Sequence, residues 1–504
     1  MEAAGAATPT ADITHERRER HPPALPMIFF TEMWERFSYY GMRALLVLYL
    51  VNALHYERAD ALEIYGLYTG LVYLSPLAGG WLADRYLGTR KAVLIGGITM
   101  ALGHFAMAFE PLLYLALGLL IAGNGFFKPN MATLLGTLYR ENDPRRDGGF
   151  TIYYMGVNLG AFFSPLVAGT LGEKVGWHYG FASAGVGMCL GIAQFLRGQE
   201  RLGDAGMHGG KTRLDARDWM HVIVISLAMI PLVYAVMAAW KVVGPVWDPL
   251  PGLGKLATVL AIVAALWAIG HVRAKRHVEA GHEPLTREEW QRIAAIVVMG
   301  FFVIFFWMGF EQAGGTMNLF ADKLTERNVF GWEIPASYFQ SINPLAILAL
   351  GPLMAALWLR VDTSRYRLPT PAKMAFGLVF LGLGFIVMAI GDQHAAAIGK
   401  VSALWLVFAY LLHTVGELCL SPVGLSMVTK LAPARVAALM MGIWYLANAA
   451  ANYLAGILEE LLKGTSIPLY WFLVGSSLGA AVVLFAITPF LKRLMHEKPH
   501  PARA

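Results

Sequence analysis

The sequence predicts an all-α protein that crosses a membrane about fourteen times, and three observations support this class. Of the 504 residues, 57% are apolar and only 15% are charged, whereas about a quarter of the residues of a soluble domain carry a charge. The apolar residues come in blocks of roughly 20, the length of a helix that crosses about 30 Å of hydrocarbon. The sequence has no alternating ten-residue pattern, which argues against a β-barrel.

The predicted spans follow the apolar blocks along the chain. They lie near 25–53, 63–83, 92–109, 112–138, 150–172, 179–197, 219–240, 252–272, 293–320, 337–359, 372–391, 401–429, 436–462 and 468–491. Bases cluster in the loops after the second, fourth, sixth, eighth and tenth spans, and the alternate loops carry few. Because cytoplasmic loops are enriched in lysine and arginine, both termini are predicted to lie in the cytoplasm. The net charge of +6 fits such cationic loops and does not require a nucleic-acid partner.

A polar insert near 197–218 divides the chain. We expect a cytoplasmic tail at 1–24, a six-helix bundle at 25–197, a cytoplasmic linker at 198–218, an inserted pair of transmembrane helices at 219–275, a second six-helix bundle at 290–494 and a tail at 495–504. The inserted pair has almost no charge inside its spans, so we expect a peripheral hairpin that faces lipid. The polar N-terminal stretch lacks a short apolar core with a cleavage site, so no cleaved signal peptide is expected.

The two halves share a degenerate loop pattern. Residues 79–85 read Gly-Gly-Trp-Leu-Ala-Asp-Arg, and residues 88–91 read Gly-Thr-Arg-Lys. The matching place in the second half holds Gly351, Asp362, Arg365 and Lys373. Many secondary transporters are built from such paired repeats, with the binding site at their interface near the bilayer midplane.

Four ionisable residues lie inside the first span: Glu32, Glu35, Arg36 and Arg43. Each would cost about 2.5–3.5 kcal/mol at the bilayer centre, so exposure of all four to lipid would cost on the order of 10 kcal/mol. Helical spacing places them, with two tyrosines, on one broad face that must point inward. A salt-bridged packing ladder against a neighbouring helix is the alternative interpretation of this face.

Further charges occur in the middle of other spans. Lys128 lies in the fourth span, and Glu311 and Glu417 lie in the second half. Two acids of the second half therefore have two bases in the first half, Lys128 and Arg43. Charge pairs between the halves would act as gates that open and close with alternating access. Static buried pairing is the alternative.

Uncharged polar and aromatic side chains also fall inside spans. They are Tyr73, Asn158, Asn343, Ser421 and Trp444. For a single tyrosine or tryptophan, core or interface filling is the better interpretation. Asn343 differs because Pro344 follows it: proline frees a backbone carbonyl, and the asparagine can repair or exploit the break.

At this point the sequence resembles a known family. Residues 32–41 read Glu-Met-Trp-Glu-Arg-Phe-Ser-Tyr-Tyr-Gly and match the signature E-x-x-E-R-F-x-Y-Y-G of the proton-dependent oligopeptide transporters, a branch of the major facilitator superfamily. Residues 79–91 resemble the superfamily's loop motif, and 125–130, 150–160 and 416–422 resemble peptide transporters of this branch. The resemblance covers nearly the whole chain and implies the major facilitator fold, with two six-helix bundles. The inserted helix pair is similar to that of bacterial members.

The resemblance also implies roles for individual residues. Those implied for proton coupling are Glu32, Glu35, Arg36 and Glu311. Those implied for substrate binding are Arg36, Tyr39, Tyr40, Arg43, Tyr73, Lys128, Asn158, Asn343, Glu417, Ser421 and Trp444. The implied gating pairs are Arg43 with Glu311 and Lys128 with Glu417. Animal members have a histidine seven residues before the tyrosine that Tyr73 resembles. This chain has Gly66 there, so proton coupling should fall on carboxylates.

The function that the resemblance implies is a proton-coupled symporter that imports di- and tripeptides by alternating access. We expect it in the bacterial inner (plasma) membrane, working as a monomer, with the proton gradient as driving force and with no cofactor, no metal and no nucleic-acid partner. The chemistry agrees, because a zwitterionic peptide needs a cation for its carboxylate and an anion for its amine. A transporter of the same fold for nitrate, a drug-like compound or a peptide mimetic is the alternative.

A receptor or an enzyme is the alternative from another class. The sequence has no P-loop, no H-E-x-x-H motif and no cysteine–histidine metal spacing. Cys189 and Cys419 both lie inside apolar blocks, where packed free thiols are expected. We therefore do not expect an enzyme.

Overall fold

The structure is a computed structural model that describes residues 21–140, 143, 145–207, 215–232, 235–236, 238–239, 285–364 and 368–496. The described chain is mainly helical. The helices of the first half are α1 (Leu25–Asn52), α2 (Arg58–Leu82), α3 (Thr89–Ala106), α4 (Leu113–Thr137), α5 (Arg146–Thr170) and α6 (Trp177–Gly198). A further helix, α7 (Ala216–Met229), begins inside the predicted linker. Most of the predicted inserted pair at 219–275 lies outside the described residues.

The second half continues with seven helices in the described part of the chain. They are α8 (Arg287–Phe310), α9 (Thr316–Leu324), α10 (Ile342–Thr363), α11 (Thr370–Ile398), α12 (Leu404–Leu431), α13 (Ala437–Leu462) and α14 (Leu469–Leu494). Short 3₁₀ turns join α8 to α9 at Glu311–Ala313 and lead into α10 at Ala336–Ser341. Four two-residue strands, which the sequence did not predict, form two small pairings: β1 (Thr325–Glu326) with β4 (Val401–Ser402), and β2 (Asn328–Val329) with β3 (Trp332–Glu333).

Eight helical segments of the described chain are long and apolar enough to cross a membrane. They are Glu110–Thr137, Arg146–Val175, Trp177–Leu202, Arg287–Leu324, Ala336–Thr363, Thr370–Ile398, Leu404–Leu431 and Leu469–Leu494. Helices α1, α2, α3 and α13 are not in this set, and α1 carries the four charged residues noted above. These four charged side chains are buried inside the protein: Glu32, Glu35, Arg36 and Arg43 are all 8% exposed or less.

The helices pack in two groups, which we call the first half (α1–α6) and the second half (α8–α14). In the first half, α1 packs on α5 and α6, and α3 packs on α4; in the second half, α11 packs on α12 and α14. The halves meet along α2 and α13 and along α5 and α10. Helix α7 packs on α2 and α4 through Val222 and Met229, while Trp219 and Val224 stay exposed.

The halves approach each other closely through backbone atoms at Gly66 of α2. A Cβ atom there would lie 2.7 Å from the Cα of Gly456 in α13 and 2.9 Å from the carbonyl oxygen of Asn452. Any side chain at position 66 would therefore push α2 and α13 apart. This gives a packing reason for glycine at the position where the sequence departs from the animal members of the family.

Polar contacts between the halves cluster at one end of the bundle, where α1 ends and α2 begins; we call it the closed end. They include Arg58 Nε to Glu459 Oε1 at 2.8 Å, Asn52 Nδ2 to Asp322 Oδ2 at 3.0 Å, Lys174 Nζ to Glu333 Oε2 at 3.2 Å and Thr170 Oγ1 to the Tyr338 hydroxyl at 2.6 Å. The opposite end, where α2 ends and α3 begins, is called the open end.

Candidate functional site

The charge cluster on α1 forms as the spacing of its residues predicts. Arg36 lies between two carboxylates: its Nε is 3.2 Å from Glu32 Oε1, and a second guanidinium nitrogen donates to Glu35 Oε1 at 2.9 Å. Asn124 of α4 donates to the same Glu35 oxygen at 3.5 Å. The second Glu32 oxygen has no hydrogen-bond partner among the described residues. The single guanidinium of Arg36 is thus shared between two buried acids.

Arg43 forms the predicted pair with Glu311, which joins the two halves. Glu311 begins the 3₁₀ turn between α8 and α9, where the chain leaves the helix axis and the carboxylate reaches α1. The Nε of Arg43 also donates to the Tyr65 hydroxyl at 2.7 Å. Both charged side chains are buried, Arg43 to 8% exposure and Glu311 to 2%. The ion pair with its added hydrogen bond is the arrangement in which two buried charges are tolerated.

The predicted contact between Lys128 and Glu417 is not formed in this conformation. The Nζ of Lys128 lies 4.5 Å from the ring centroid of Tyr73, in a cation–π contact. Glu417 instead accepts a hydrogen bond of 2.8 Å from Asn343 Nδ2. Neither charge forms an ion pair within the described part of the chain. The physical reason is geometric: α4 and α12 belong to different halves, and these approach each other mainly at the closed end.

A cavity of about 140 Å³ lies between the halves. Seven of the predicted residues line it: Tyr40, Arg43, Tyr73, Asn158, Glu311, Asn343 and Glu417. They come from α1, α2, α5, the turn after α8, α10 and α12, so the fold brings together side chains that are far apart in sequence. The lining holds one guanidinium and two carboxylates, a set that suits a ligand carrying a positive group.

Five predicted binding residues do not line this cavity: Arg36, Tyr39, Lys128, Ser421 and Trp444. Arg36 and Tyr39 lie one layer behind it on α1, with the guanidinium carbon 5.4 Å from the Tyr39 ring centroid. Trp444 is 5% exposed and packs against Gly424, where a Cβ would lie 2.7 Å from its ring. This is the core-filling role that the sequence already favoured for a lone tryptophan. The Ser421 hydroxyl is buried with no hydrogen-bond partner among the described residues.

Asn343 is the second residue of α10 and precedes Pro344, and its side chain bonds to another helix instead of to its own. Its Nδ2 donates to Glu417 and also to the Thr414 hydroxyl at 3.0 Å, both on α12. The amide therefore holds the Glu417 carboxylate towards the cavity instead of repairing the backbone of its own helix.

Several lining residues were missed by the sequence analysis. They are Tyr154, Trp307, Phe310, Gln340 and Tyr410. A usable signal existed for some of them: Tyr154 precedes Asn158 by four residues, and Trp307 precedes Glu311 by four, so each lies on the same helix face as a predicted residue. Tyr65, which binds Arg43, carried no such signal because its contact depends on how α1 and α2 pack.

A larger cavity of about 720 Å³ opens from the first towards the open end. Tyr154, Asn158 and Ile347 line both cavities, so the two spaces are adjacent. Asp362 and Lys373 lie at its far side, with the Lys373 Nζ 2.6 Å and 2.8 Å from the two carboxylate oxygens. These are two residues of the degenerate loop pattern in the second half. The larger cavity therefore extends from beside the small cavity towards the open end.

The profile of the POT family, the proton-dependent oligopeptide transporters, matches residues 90–471 of the chain. This chain belongs to the POT family. It is 37% identical to "Uncharacterized transporter YclF" of Bacillus subtilis, over 94% of this chain and 95% of that one. It is 34% identical to "Peptide transporter YePEPT" of Yersinia enterocolitica, over 94% and 96%. "Dipeptide and tripeptide permease A" of Escherichia coli is 31% identical, over 88% and 85%.

Solved structures of POT members have the same fold. A crystal structure of a peptide transporter POT in complex with sulfate matches with a TM-score of 0.78 and 37% identity, over 94% of this chain and 96% of that one. A POT family transporter in complex with a thioalcohol-conjugated peptide matches with a TM-score of 0.78 and 32% identity, over 94% and 97%. The POT protein described here is therefore a multi-pass membrane protein of a transporter family, not of an enzyme family.

Proposed function

We propose that this protein is a proton-coupled symporter that imports di- and tripeptides across the bacterial inner membrane by alternating access. Relatives at 31–34% identity are named peptide transporters or dipeptide and tripeptide permeases. The proposal includes the full architecture expected from the sequence: two six-helix bundles and an inserted helix pair, about fourteen spans, acting as a monomer. It also includes the proton gradient as the driving force, with no cofactor.

One observation carries the peptide assignment. Lys128 of the first half contacts the Tyr73 ring and Glu417 of the second half contacts the Asn343 amide, and neither forms an ion pair among the described residues. A zwitterionic peptide supplies both missing charges, its carboxylate to Lys128 and its amine to Glu417. Binding would then link one half to the other and stabilise the conformation in which they approach. The aromatic lining of the cavity suits side chains of varied size.

The proton is assigned to the buried carboxylates. Protonation of Glu35 or Glu32 would remove negative charge from beside Arg36 and free the guanidinium. Protonation of Glu311 would likewise weaken its hold on Arg43, which joins the halves at the cavity. A neutral Glu311 would weaken the contact between the halves at Arg43, and a bound peptide would link the halves at Lys128 and Glu417. Proton and peptide would therefore both bias the equilibrium between the conformations of the two halves.

The orientation follows from the basic loops. Arg90 and Lys91 follow α2, and Arg140 and Arg145 follow α4, all at the open end. The open end would therefore face the cytoplasm, with both termini. In this assignment the structure represents the inward-facing state, and the closed end is the outer gate.

A same-fold transporter of another small solute is the second candidate. A structural neighbour at 32% identity is a POT family transporter in complex with 5-aminolevulinic acid, with a TM-score of 0.77. That compound also carries one amine and one carboxylate, so it would satisfy the same two charges. Competition between dialanine and this compound separates the two candidates.

The test is uptake and binding of labelled dialanine in proteoliposomes, with and without an inward proton gradient. We expect gradient-driven accumulation that unlabelled dialanine blocks. Lys128→Ala should weaken dialanine binding at least tenfold and its C-terminal amide much less, because the amide lacks the carboxylate. Lys463→Ala is the matched control, since Lys463 is exposed and, among the described residues, pairs with Glu460 one turn away. If Lys128→Ala weakens both ligands equally, the assignment of the carboxylate site is wrong.

A further inference from the structure

The side chain of Glu173 reaches from the first half to the second at the closed end. Glu173 lies in the π-helical turn Leu171–Val175 that follows α5. Its Oε2 accepts from the backbone N–H of Ala336 at 2.7 Å, and its Oε1 accepts from the N–H of Ser337 at 3.0 Å. These two residues begin the helical segment Ala336–Thr363, of which α10 is the main part. One carboxylate of one half therefore caps a 28-residue helical segment of the other.

Two effects stabilise the contact between the Glu173 carboxylate and the two N–H groups. The first N–H groups of a helix have no partner inside the helix, and a carboxylate at a helix N-terminus is further stabilised by the helix dipole. Hydrogen bonds to an ionised acceptor are roughly twice as strong as neutral ones. Other charges lie nearby: Glu333 pairs with Lys174 at 3.2 Å and with Arg327 at 3.1 Å, and Arg327 also pairs with Asp322 at 3.2 Å.

The surrounding packing holds the halves at this distance. A Cβ on Gly169, one turn before Glu173, would lie 2.0 Å from the Ser337 hydroxyl oxygen. Two further hydrogen bonds lie alongside: Thr170 with the Tyr338 hydroxyl at 2.6 Å, and the Ser341 hydroxyl to the Phe162 carbonyl at 2.8 Å. The Glu173 contact needs this close approach of α5 to α10, so it cannot survive separation of the halves here.

We propose that Glu173 is the latch of the outer gate: its carboxylate stabilises the closed outer end and must leave both N–H groups each time that end opens. The inference rests on the proposed alternating access, and it adds a gating residue outside the charge pairs in the membrane centre. Its removal shifts the equilibrium towards the outward-open conformation. The substrate site and the α1 charge cluster stay intact, because Glu173 touches neither.

The test measures the distance between the halves directly, by double electron–electron resonance in lipid nanodiscs. Spin labels are placed at Val175→Cys and Ile398→Cys, two exposed positions in different halves at the closed end, with the exposed Cys189 replaced by serine. Glu173→Ala should raise the ratio of long-distance to short-distance populations at least tenfold, which corresponds to about 1.4 kcal/mol. Glu173→Gln keeps one acceptor oxygen without the charge and should give an intermediate ratio.

Two further variants separate the latch from a general loss of structure. Glu333→Ala is the matched control: Glu333 is an acid at the same end that pairs across the halves with Lys174 and within its own half with Arg327, but its side chain is 50% exposed. Its ratio should change less than twofold, as for a surface ion pair. Ala336→Pro removes one of the two N–H groups that Glu173 accepts from. Proline is tolerated at the first helical position, and the residue before it must be extended, as Pro335 already is with φ of −53° and ψ of 138°. It should open the same end, and much less so when Glu173→Ala is already present.

A wild-type distance distribution in Glu173→Ala overturns the latch, as does an equal opening caused by Glu333→Ala. The measurement needs neither peptide nor proton gradient. Failure of the latch is therefore distinguishable from failure of the proposed transport function, which the dialanine assay tests on its own.

Discussion

Gly66 allows the sharpest prediction about the closed end. A Cβ atom at this position would lie 2.7 Å from the Gly456 Cα, and ordinary van der Waals contact begins at about 3.4 Å. The next contacts, to the Asn452 carbonyl oxygen and the Gly456 nitrogen at 2.9 Å, are also backbone atoms. No flexible side chain can move away, so in Gly66→Ala the helices α2 and α13 must separate by about 0.7 Å at this point.

The cost of such overpacking is typically about 1–3 kcal/mol. Opening of the closed end relieves it, because α2 and α13 belong to different halves. The penalty therefore falls on the closed-end conformation alone, and the population ratio should shift towards the outward-open state by about five- to 150-fold. The spin labels at positions 175 and 398 measure this shift, and thermal unfolding of the same sample checks that the variant is folded.

Gly80→Ala is the matched control on the same helix. A Cβ there meets only the Pro129 side chain, at 3.8 Å. Alanine is favoured over glycine inside a helix by roughly 0.5–1 kcal/mol, so this variant should be as stable as the wild type or more so, with an unchanged distance distribution. If Gly66→Ala also leaves the distribution unchanged, the α2–α13 contact does not control the closed end, and the reasoning fails.

Three further predictions concern coupling and architecture. Glu35→Gln should abolish gradient-driven uptake while peptide counterflow persists, because the neutral amide imitates the protonated acid beside Arg36; accumulation of peptide by this variant would contradict the coupling role. Glu311→Gln should likewise retain counterflow and lose proton-driven uptake, since Arg43 is then held as if Glu311 were protonated, and uptake that still follows the pH gradient would count against it. Replacing 219–272 by a flexible linker should preserve dialanine uptake, because the inserted pair has almost no charge inside its spans; stable, inserted protein without uptake would show that the pair takes part in transport.

Features that depend on local pattern could be predicted from the sequence. Apolar blocks of helical length predicted the membrane helices, because the hydrocarbon core sets the length of a span. The spacing of Glu32, Glu35 and Arg36 predicted their cluster, since helix geometry alone places residues three and four apart on one face. The cost of buried charge likewise pointed to Arg43 and Glu311 as residues needing partners, and they form a pair.

Other contacts depended on how the two halves pack and could not be predicted. Lys128 and Glu417 are the expected chemical partners, yet they do not meet here, because pairing across the halves depends on the conformational state. The α2–α13 approach at Gly66 and the two hydrogen bonds of Glu173 involve backbone atoms, which every residue has and no motif marks. Helix spacing and the cost of burying charge show which charges must be buried and on which helix face they lie. Which of these charges meet is set by the packing of the fold, because it depends on the distance between two halves that are far apart in sequence.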